Sequence, residues 1–357
     1  MLCSRERIAR ILSRKPADRI GLFEEFWTDT QRAWQGKFDQ ESTVLLPNHK
    51  LDMEKGWAFD FTADVRFTPY VQEETEDTIV LLDGNGATLR QHKQHVSTPE
   101  HIDFRCNRPE IWYEEFKPLL QKTVGRIDQN GYNRQAQKSK EEESFLLCGS
   151  WNVFQNMVNL CGHETLLMAM VLEPDWVRDM VAVFSSLAIN LHESLFLKSG
   201  LPDGLFLMED LGYKLSPFMS PAMFREYIKP AYKEICEFAK SFKLPVLFHS
   251  CGFMEPMIPD LIEVGIDCLT AIEVKAGMDI VHLFKKYGDR LSFMGGIDTL
   301  ALSTNNRTII EAELQRVIPL LKTGHGYILS SDHSIPDTVT YETYCWFVER
   351  GLALGKS

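Results

Sequence analysis

From Phe145 to the C-terminus the chain repeats one unit, a short apolar run followed by an amphipathic helical pattern. The runs are Phe145-Leu146-Leu147-Cys148, Gly204-Leu205-Phe206-Leu207-Met208, Leu244-Pro245-Val246-Leu247-Phe248, Cys268-Leu269-Thr270-Ala271-Ile272, Leu291-Ser292-Phe293-Met294 and Tyr327-Ile328-Leu329. Helical patterns between them cover Pro174 to Leu197, Pro221 to Phe242, Met257 to Val264 and Asn306 to Lys322. Strands apolar on both faces must be covered on both, and their alternation with helices specifies a parallel sheet. No glycine-rich dinucleotide fingerprint follows the early strands, which favours a closed barrel over an open doubly wound sheet. The expected fold is α/β, a (β/α)8 TIM barrel with an N-terminal helical and hairpin extension. Residues 1–357 are read as a single domain, with 1–140 an irregular part of the barrel and its lid, and 145–357 the regular βα units.

The first third is less regular. Ser4 to Arg14 reads as a helix capped by Ser4, and Phe23 to Gly36 as another. Asp77 to Leu82 and Ala87 to Lys93 flank Asp83-Gly84-Asn85-Gly86, a hairpin signature. Thr98-Pro99-Glu100 and Arg108-Pro109-Glu110 read as helix starts. Gln129 to Glu143 is polar and reads as a surface loop or mobile lid.

A net charge of −12 argues against non-specific binding to nucleic acid or to an anionic membrane. No apolar run is expected to approach the roughly 20 residues that span a bilayer. Arg5, Glu6 and Arg7 stand where a secretion signal would need apolar residues. Eight scattered cysteines in apolar surroundings suit a reducing compartment, so the cytoplasm is the expected location.

In a parallel barrel the residues just after the strands converge on one face, where barrel enzymes work. Those positions hold Glu209 and Asp210, His249 and Cys251, Glu273, Asp298, and Ser330 to His333. His249-Ser250-Cys251 puts imidazole and thiol on one turn, as a borderline-soft metal such as zinc requires. The same residues could be a hydrogen-bonded histidine and a buried thiol. Glu209 and Asp210 suit a general acid–base pair or substrate anchors, or else a loop charge pair. Asp298, after Gly295-Gly296, could approach a ligand closely or cap the next helix. Trp151 follows Gly149-Ser150 at a strand end and is a candidate for the pocket wall.

The stretches Phe248 to Gly252, Gly265-Ile266-Asp267, Ile272-Glu273, Ala276 to Asp279, Phe293 to Asp298 and Gly326 to Leu329 resemble the uroporphyrinogen decarboxylase superfamily, in order, from about Phe145 to Trp346. A looser similarity covers Ser4 to Arg7, Pro16 to Arg19 and Thr98 to His101. Decarboxylases of this superfamily carry an arginine-rich N-terminal segment for the substrate carboxylates. Here Asp18 to Phe26 carries Glu24 and Glu25 instead, which makes decarboxylation of a uroporphyrinogen-type substrate the weaker alternative.

The other branch comprises zinc-dependent methyltransferases that work with corrinoid proteins. Their metal site resembles His249 and Cys251, with Glu273 matching a nearby glutamate. Their later cysteine is missing here. Ser330-Ser331-Asp332-His333 stands in that segment, so the resemblance makes His333 the nearest replacement. It implies Zn2+ acting on the ether oxygen of a methoxylated aromatic and methyl transfer to a corrinoid protein, while Glu209, Asp210 and Asp298 are the catalytic candidates by their positions after the strands. The chain has no DxHxxG-type cobalamin signature, so the corrinoid is expected on a separate partner. A non-catalytic binding barrel is the reading from another class, and a homodimer is an assembly the sequence leaves open.

Overall fold

The structure, a computed structural model, describes residues 2–35, 37, 50–94 and 98–356. After the helix Ser4–Leu12 come the first strands, β1 (Gly21–Leu22) and, past the helix Thr28–Ala33, β2 (Met53–Trp57). The antiparallel strands β3 (Tyr70–Glu74), β4 (Thr78–Leu82), β5 (Ala87–His92) and β6 (Glu100–Phe104) follow. Six further strands are β7 (Phe145–Trp151), β8 (Gly204–Met208), β9 (Val246–Ser250), β10 (Cys268–Ala271), β11 (Ser292–Gly295) and β12 (Tyr327–Leu329). Two early and six late strands form one eight-stranded parallel sheet in the order β1-β12-β11-β10-β9-β8-β7-β2. The sheet curls until its edges meet. Asp52 N–H donates to Leu22 O at 2.8 Å, and Leu22 N–H donates to Asp52 Oδ2 at 2.8 Å. The result is a TIM-like α/β fold.

Alternation along each strand divides the core in two. Phe145, Leu147, Phe206, Leu247, Cys268, Met294 and Ile328 meet Ile8, Ile11 and Leu12 inside the curl. Leu146, Cys148, Leu205, Leu207, Val246, Phe248 and Leu269 pack outward into the larger helix-facing core. Helix Ser4–Leu12 thus fills the end of the curl opposite the strand C-termini, with Ser292 Oγ donating to Ile11 O at 3.0 Å. Helix Pro174–Ser199 is long and apolar enough to cross a membrane, contrary to the expectation of no such run. Its buried side chains pack against the neighbouring helices, and 56% of its most apolar window lies inside the protein.

Several local readings change. Cys3 rather than Ser4 caps the first helix, its Sγ accepting from Glu6 N–H, and Arg14 at φ 51° lies beyond the helix end. Phe23 continues β1, its N–H donating to Leu329 O, so the next helix is only Thr28–Ala33. Gly36, where that helix was expected to end, lies outside the described residues. Thr98-Pro99 leads into strand β6, not a helix. Gln129–Glu141 is a helix rather than a loop: Asp128 caps it, and Tyr132 and Ser139 supply a thin buried stripe. The hairpin forms as read, β4 pairing with β5 and Asp83 Oδ1 accepting from the N–H groups of Asn85 and Ala87.

Candidate functional site

At the strand C-termini lies a cavity of about 450 Å³. The interior alternation that places Leu247 inside β9 places His249 in this cavity, and that of Phe206 in β8 carries on to Met208 and Asp210. His249 and Cys251 therefore face the same side of one strand end. Their loop touches the loop after β8, where Asp210 lies. Gly252, at φ 75°, has no room for a side chain, because a Cβ there would lie 2.3 Å from the Gly212 carbonyl carbon. That contact brings Asp210 to the HxC pair.

Asp210, His249 and Cys251 form a cluster whose donor atoms all lie within 4.8 Å of one another. Cys251 Sγ is 3.4 Å from His249 Nε2, which is 3.8 Å from Asp210 Oδ1. Ligand atoms around a tetrahedral zinc, at bonds of 2.0–2.3 Å, stand about 3.3–3.8 Å apart, so the two separations made by His249 fit such an ion. Asp210 Oδ1 also accepts from Cys251 N–H at 2.9 Å, which fixes the turn. Burial lowers the His249 pKa against the pull of Asp210 and Glu25, which favours the neutral imidazole that a metal ligand requires. Burial also raises the Cys251 thiol, so thiolate there requires a cation to replace the proton.

The other expected site residues are placed differently. Glu273 does not line the cavity. Ile272, at φ 62°, turns the chain, and Glu273 accepts from Gly252 N–H at 2.7 Å and pairs with Lys275 at 3.2 Å. His333 does line the cavity but stacks on Trp27, ring centroids 5.6 Å apart, outside the donor cluster. Glu209 has the opposite alternation to Asp210 and is fully buried. Its carboxylate accepts from Phe154 N–H, Gln155 N–H and Tyr232 Oη, holding the helix Val153–Cys161 in place of a side-chain cap from Asn152. Asp298 caps the helix Thr299–Ser303, accepting from Leu300 N–H at 2.8 Å. Neither is among the residues that line the cavity. Trp151 stands on the cavity wall beside Trp57, centroids 5.9 Å apart.

The first third supplies side chains that motif reading did not assign to the pocket. Glu24, Glu25 and Trp27 follow β1 into the cavity, and Thr98, Pro99 and His101 reach it from the start of β6. Lys55 of β2 is buried beneath, 4.1 Å from the Phe206 ring centroid and paired with Glu25. Burial lowers the Lys55 pKa against the pull of Glu25. Glu24 accepts from Ser330 Oγ at 3.1 Å, Ser331 N–H at 3.0 Å and Ser331 Oγ at 2.7 Å, yet burial pushes it up to about 8. Gln155 and Asn159, four apart on one helix, form a polar wall, Gln155 Nε2 donating to Asn159 Oδ1. The alternation of β2 (Met53 and Lys55 inward) was the signal that could have found Lys55.

A parallel curled sheet with a candidate metal cluster at its strand C-termini defines a barrel of the enzyme type. The profile of the uroporphyrinogen decarboxylase (URO-D) family matches residues 143–351, and the chain belongs to that family. Among solved structures it is similar to a methyltransferase from Methanosarcina mazei, at 14% identity over 98% of each chain with a TM-score of 0.65. At that identity the likeness speaks for the fold. No curated protein matches.

Proposed function

We propose that this chain is a zinc-dependent methyltransferase that moves a methyl group from a methoxylated aromatic to a corrinoid carried by a separate protein. The observation that carries the reading is the nitrogen, sulfur and oxygen donor set of His249, Cys251 and Asp210, opening onto a cavity walled by Trp27 and Trp151. Asp210 replaces Glu273 and His333 as the third protein donor in this reading. When bound, zinc supplies Lewis acidity toward the ether oxygen. Trp27, Trp151, Met208 and Met294 offer faces for an aromatic ring. The methyl–oxygen bond breaks with its electron pair left on oxygen, the aromatic leaves as a phenolate, and the methyl carbon passes to the reduced corrinoid. Tyr213 and Leu215, 55% and 75% exposed on the loop after β8, suit the docking of the corrinoid protein near the cavity.

The lining also speaks against uroporphyrinogen as substrate. Among the described residues around the cavity there is no arginine or lysine, and a substrate with many carboxylates needs such partners. The test is the variant Cys251→Ala. It is expected to lose zinc, measured by metal analysis, and to lose at least about a hundredfold in methyl transfer to a corrinoid protein. Circular dichroism and melting should stay near wild type, because Cys251 lies at the cavity rather than in the packed core. A wild-type protein purified without zinc, together with a fully active Cys251→Ala, would end the reading.

A further inference from the structure

The inside of a closed parallel sheet is ordinarily filled by apolar side chains, yet the inward face of β2 carries Lys55. Its ammonium lies among three rings, 4.1 Å from the Phe206 centroid, 5.4 Å from that of Trp57 and 5.6 Å from that of Phe23. Phe206 in turn stands 6.2 Å from the His249 ring, so one aromatic layer separates Lys55 from the donor cluster.

The carboxylate partner of Lys55 is Glu25, and the two are placed unequally. The Lys55 side chain is 8% exposed, whereas that of Glu25 is 41% exposed and lines the cavity. A molecule in the cavity can touch Glu25 but not Lys55. Stability alone does not call for such a pair, because desolvation offsets most of the attraction and apolar residues would serve as well. What the pair offers is a proton within reach of the cavity. Burial makes the Lys55 ammonium a readier donor, and Glu25 stands between it and the cavity. The proposed reaction has a use for that proton, since a phenolate leaves more easily when its oxygen is protonated.

We propose that Glu25 protonates the leaving phenolate, with Lys55 behind it as the source of the proton. As the methyl–oxygen bond breaks, its electron pair stays on oxygen, and that oxygen takes the proton from the Glu25 carboxyl. Glu25 receives it from the Lys55 ammonium, and the amine regains a proton from water once the phenol has left. This rests on the methyltransferase reading and adds its proton donor.

Single-turnover methyl transfer to excess cob(I)alamin by the zinc-loaded protein tests it with two donors. The phenol of 4-methylanisole is weakly acidic and needs the proton, whereas that of 4-cyanoanisole is more acidic and needs it less. Lys55→Met and Glu25→Gln are each expected to lose about a hundredfold with 4-methylanisole and about tenfold or less with 4-cyanoanisole. Zinc content should stay at the wild-type level. Lys55→Arg should not restore the rate, because a guanidinium keeps its proton. Whether or not the variants fold, the wild type should react more slowly in D2O with 4-methylanisole and not with 4-cyanoanisole. Equal losses with both donors, full recovery in Lys55→Arg or the same solvent effect for both donors overturns the assignment and leaves the methyltransferase reading intact. A donor-dependent loss in His333→Asn, absent from Glu25→Gln, would move the role to His333 and overturn it too. If the wild type transfers methyl from neither donor, the reading and the assignment fall together.

Discussion

The early and late strands of the curled sheet are held by different forces. β7 to β12 are nearly all apolar and are fixed by burial on both faces. β1 is two residues long, and β2 reads Met53-Glu54-Lys55-Gly56-Trp57, with two charges in five residues. What joins the early pair is one buried carboxylate. Asp52, 0% exposed, accepts from Leu22 N–H at 2.8 Å, Ser4 Oγ at 2.7 Å, Arg7 Nη1 at 2.8 Å and Arg19 Nη1 at 2.7 Å. The late strands build the platform and carry the metal-type donors. The early segment supplies Glu24 and Glu25 to the same cavity, with Lys55 paired to Glu25 behind its wall. Burial fixes position cheaply and repeatedly, whereas polar pins let a short segment bring charged groups into an interior that would otherwise reject them.

The largest effect that could break this comparison is at the pin. Asp52→Ala leaves the Arg7 guanidinium with Asp18 as its one remaining carboxylate partner and the Leu22 N–H without an acceptor, and it should cost about 3 kcal/mol of unfolding free energy. Asp52→Asn, which can still accept from Leu22 N–H, should recover part of that. Urea denaturation measures both. A loss below about 1 kcal/mol in Asp52→Ala would mean that the early strands, like the late ones, are held by packing.

The same difference explains what could be read from the sequence. Six strands were visible because each is a continuous apolar run, and the alternation that buries Leu247 also set His249 and Cys251 at the cavity. Applied strictly, that alternation favours Asp210 over Glu209, since Met208 faces the cavity and Leu207 does not. β1 was invisible because two residues make no pattern, and β2 because its charges hide its inward face. Glu24 and Glu25 were noticed only as acids in place of arginines. Their placement depends on Ser330, Ser331 and Lys55, contacts 30 to 307 residues apart in sequence. The Gln129–Glu141 helix was hidden because it is polar apart from a thin stripe.

A second test compares one buried acid from each region. Glu24 in the early segment and Glu209 in the late one are both pushed up to about 8 by burial, despite the hydrogen bonds that favour their ionised forms. In the unfolded chain each returns to the ordinary glutamate value of 4.5. Between those values the folded protein binds more protons than the unfolded one, so stability is greatest below pH 4.5 for these groups and falls as pH rises to 8. The slope is at most about 1.4 kcal/mol per pH unit for each group. Glu24→Gln and Glu209→Gln should each flatten that decline, read from melting curves at a series of pH values. If only one variant does, the two regions differ in how well they solvate a buried acid.

The smallest expected effect sharpens the assignment of roles within the late strands. Asp298 follows β11, whose interior residue is Met294, and a simple count of alternate residues would carry the inward direction on to position 298. Gly295 and Gly296 break that count: their φ values of 106° and 77° turn the backbone out of the extended form, and Asp298 emerges as a helix cap instead. Its Oδ1 accepts from Leu300 N–H, and the side chain is absent from the cavity wall. Asp298→Ala should therefore cost about 1 kcal/mol of stability, the usual worth of an N-cap, and leave kcat for methyl transfer within twofold of wild type. Asp298→Asn, which can still cap, should cost only a few tenths. A drop of tenfold or more in kcat at unchanged melting temperature would show that Asp298 reaches the substrate, and that the turn at Gly295-Gly296 does not direct it away from the chemistry.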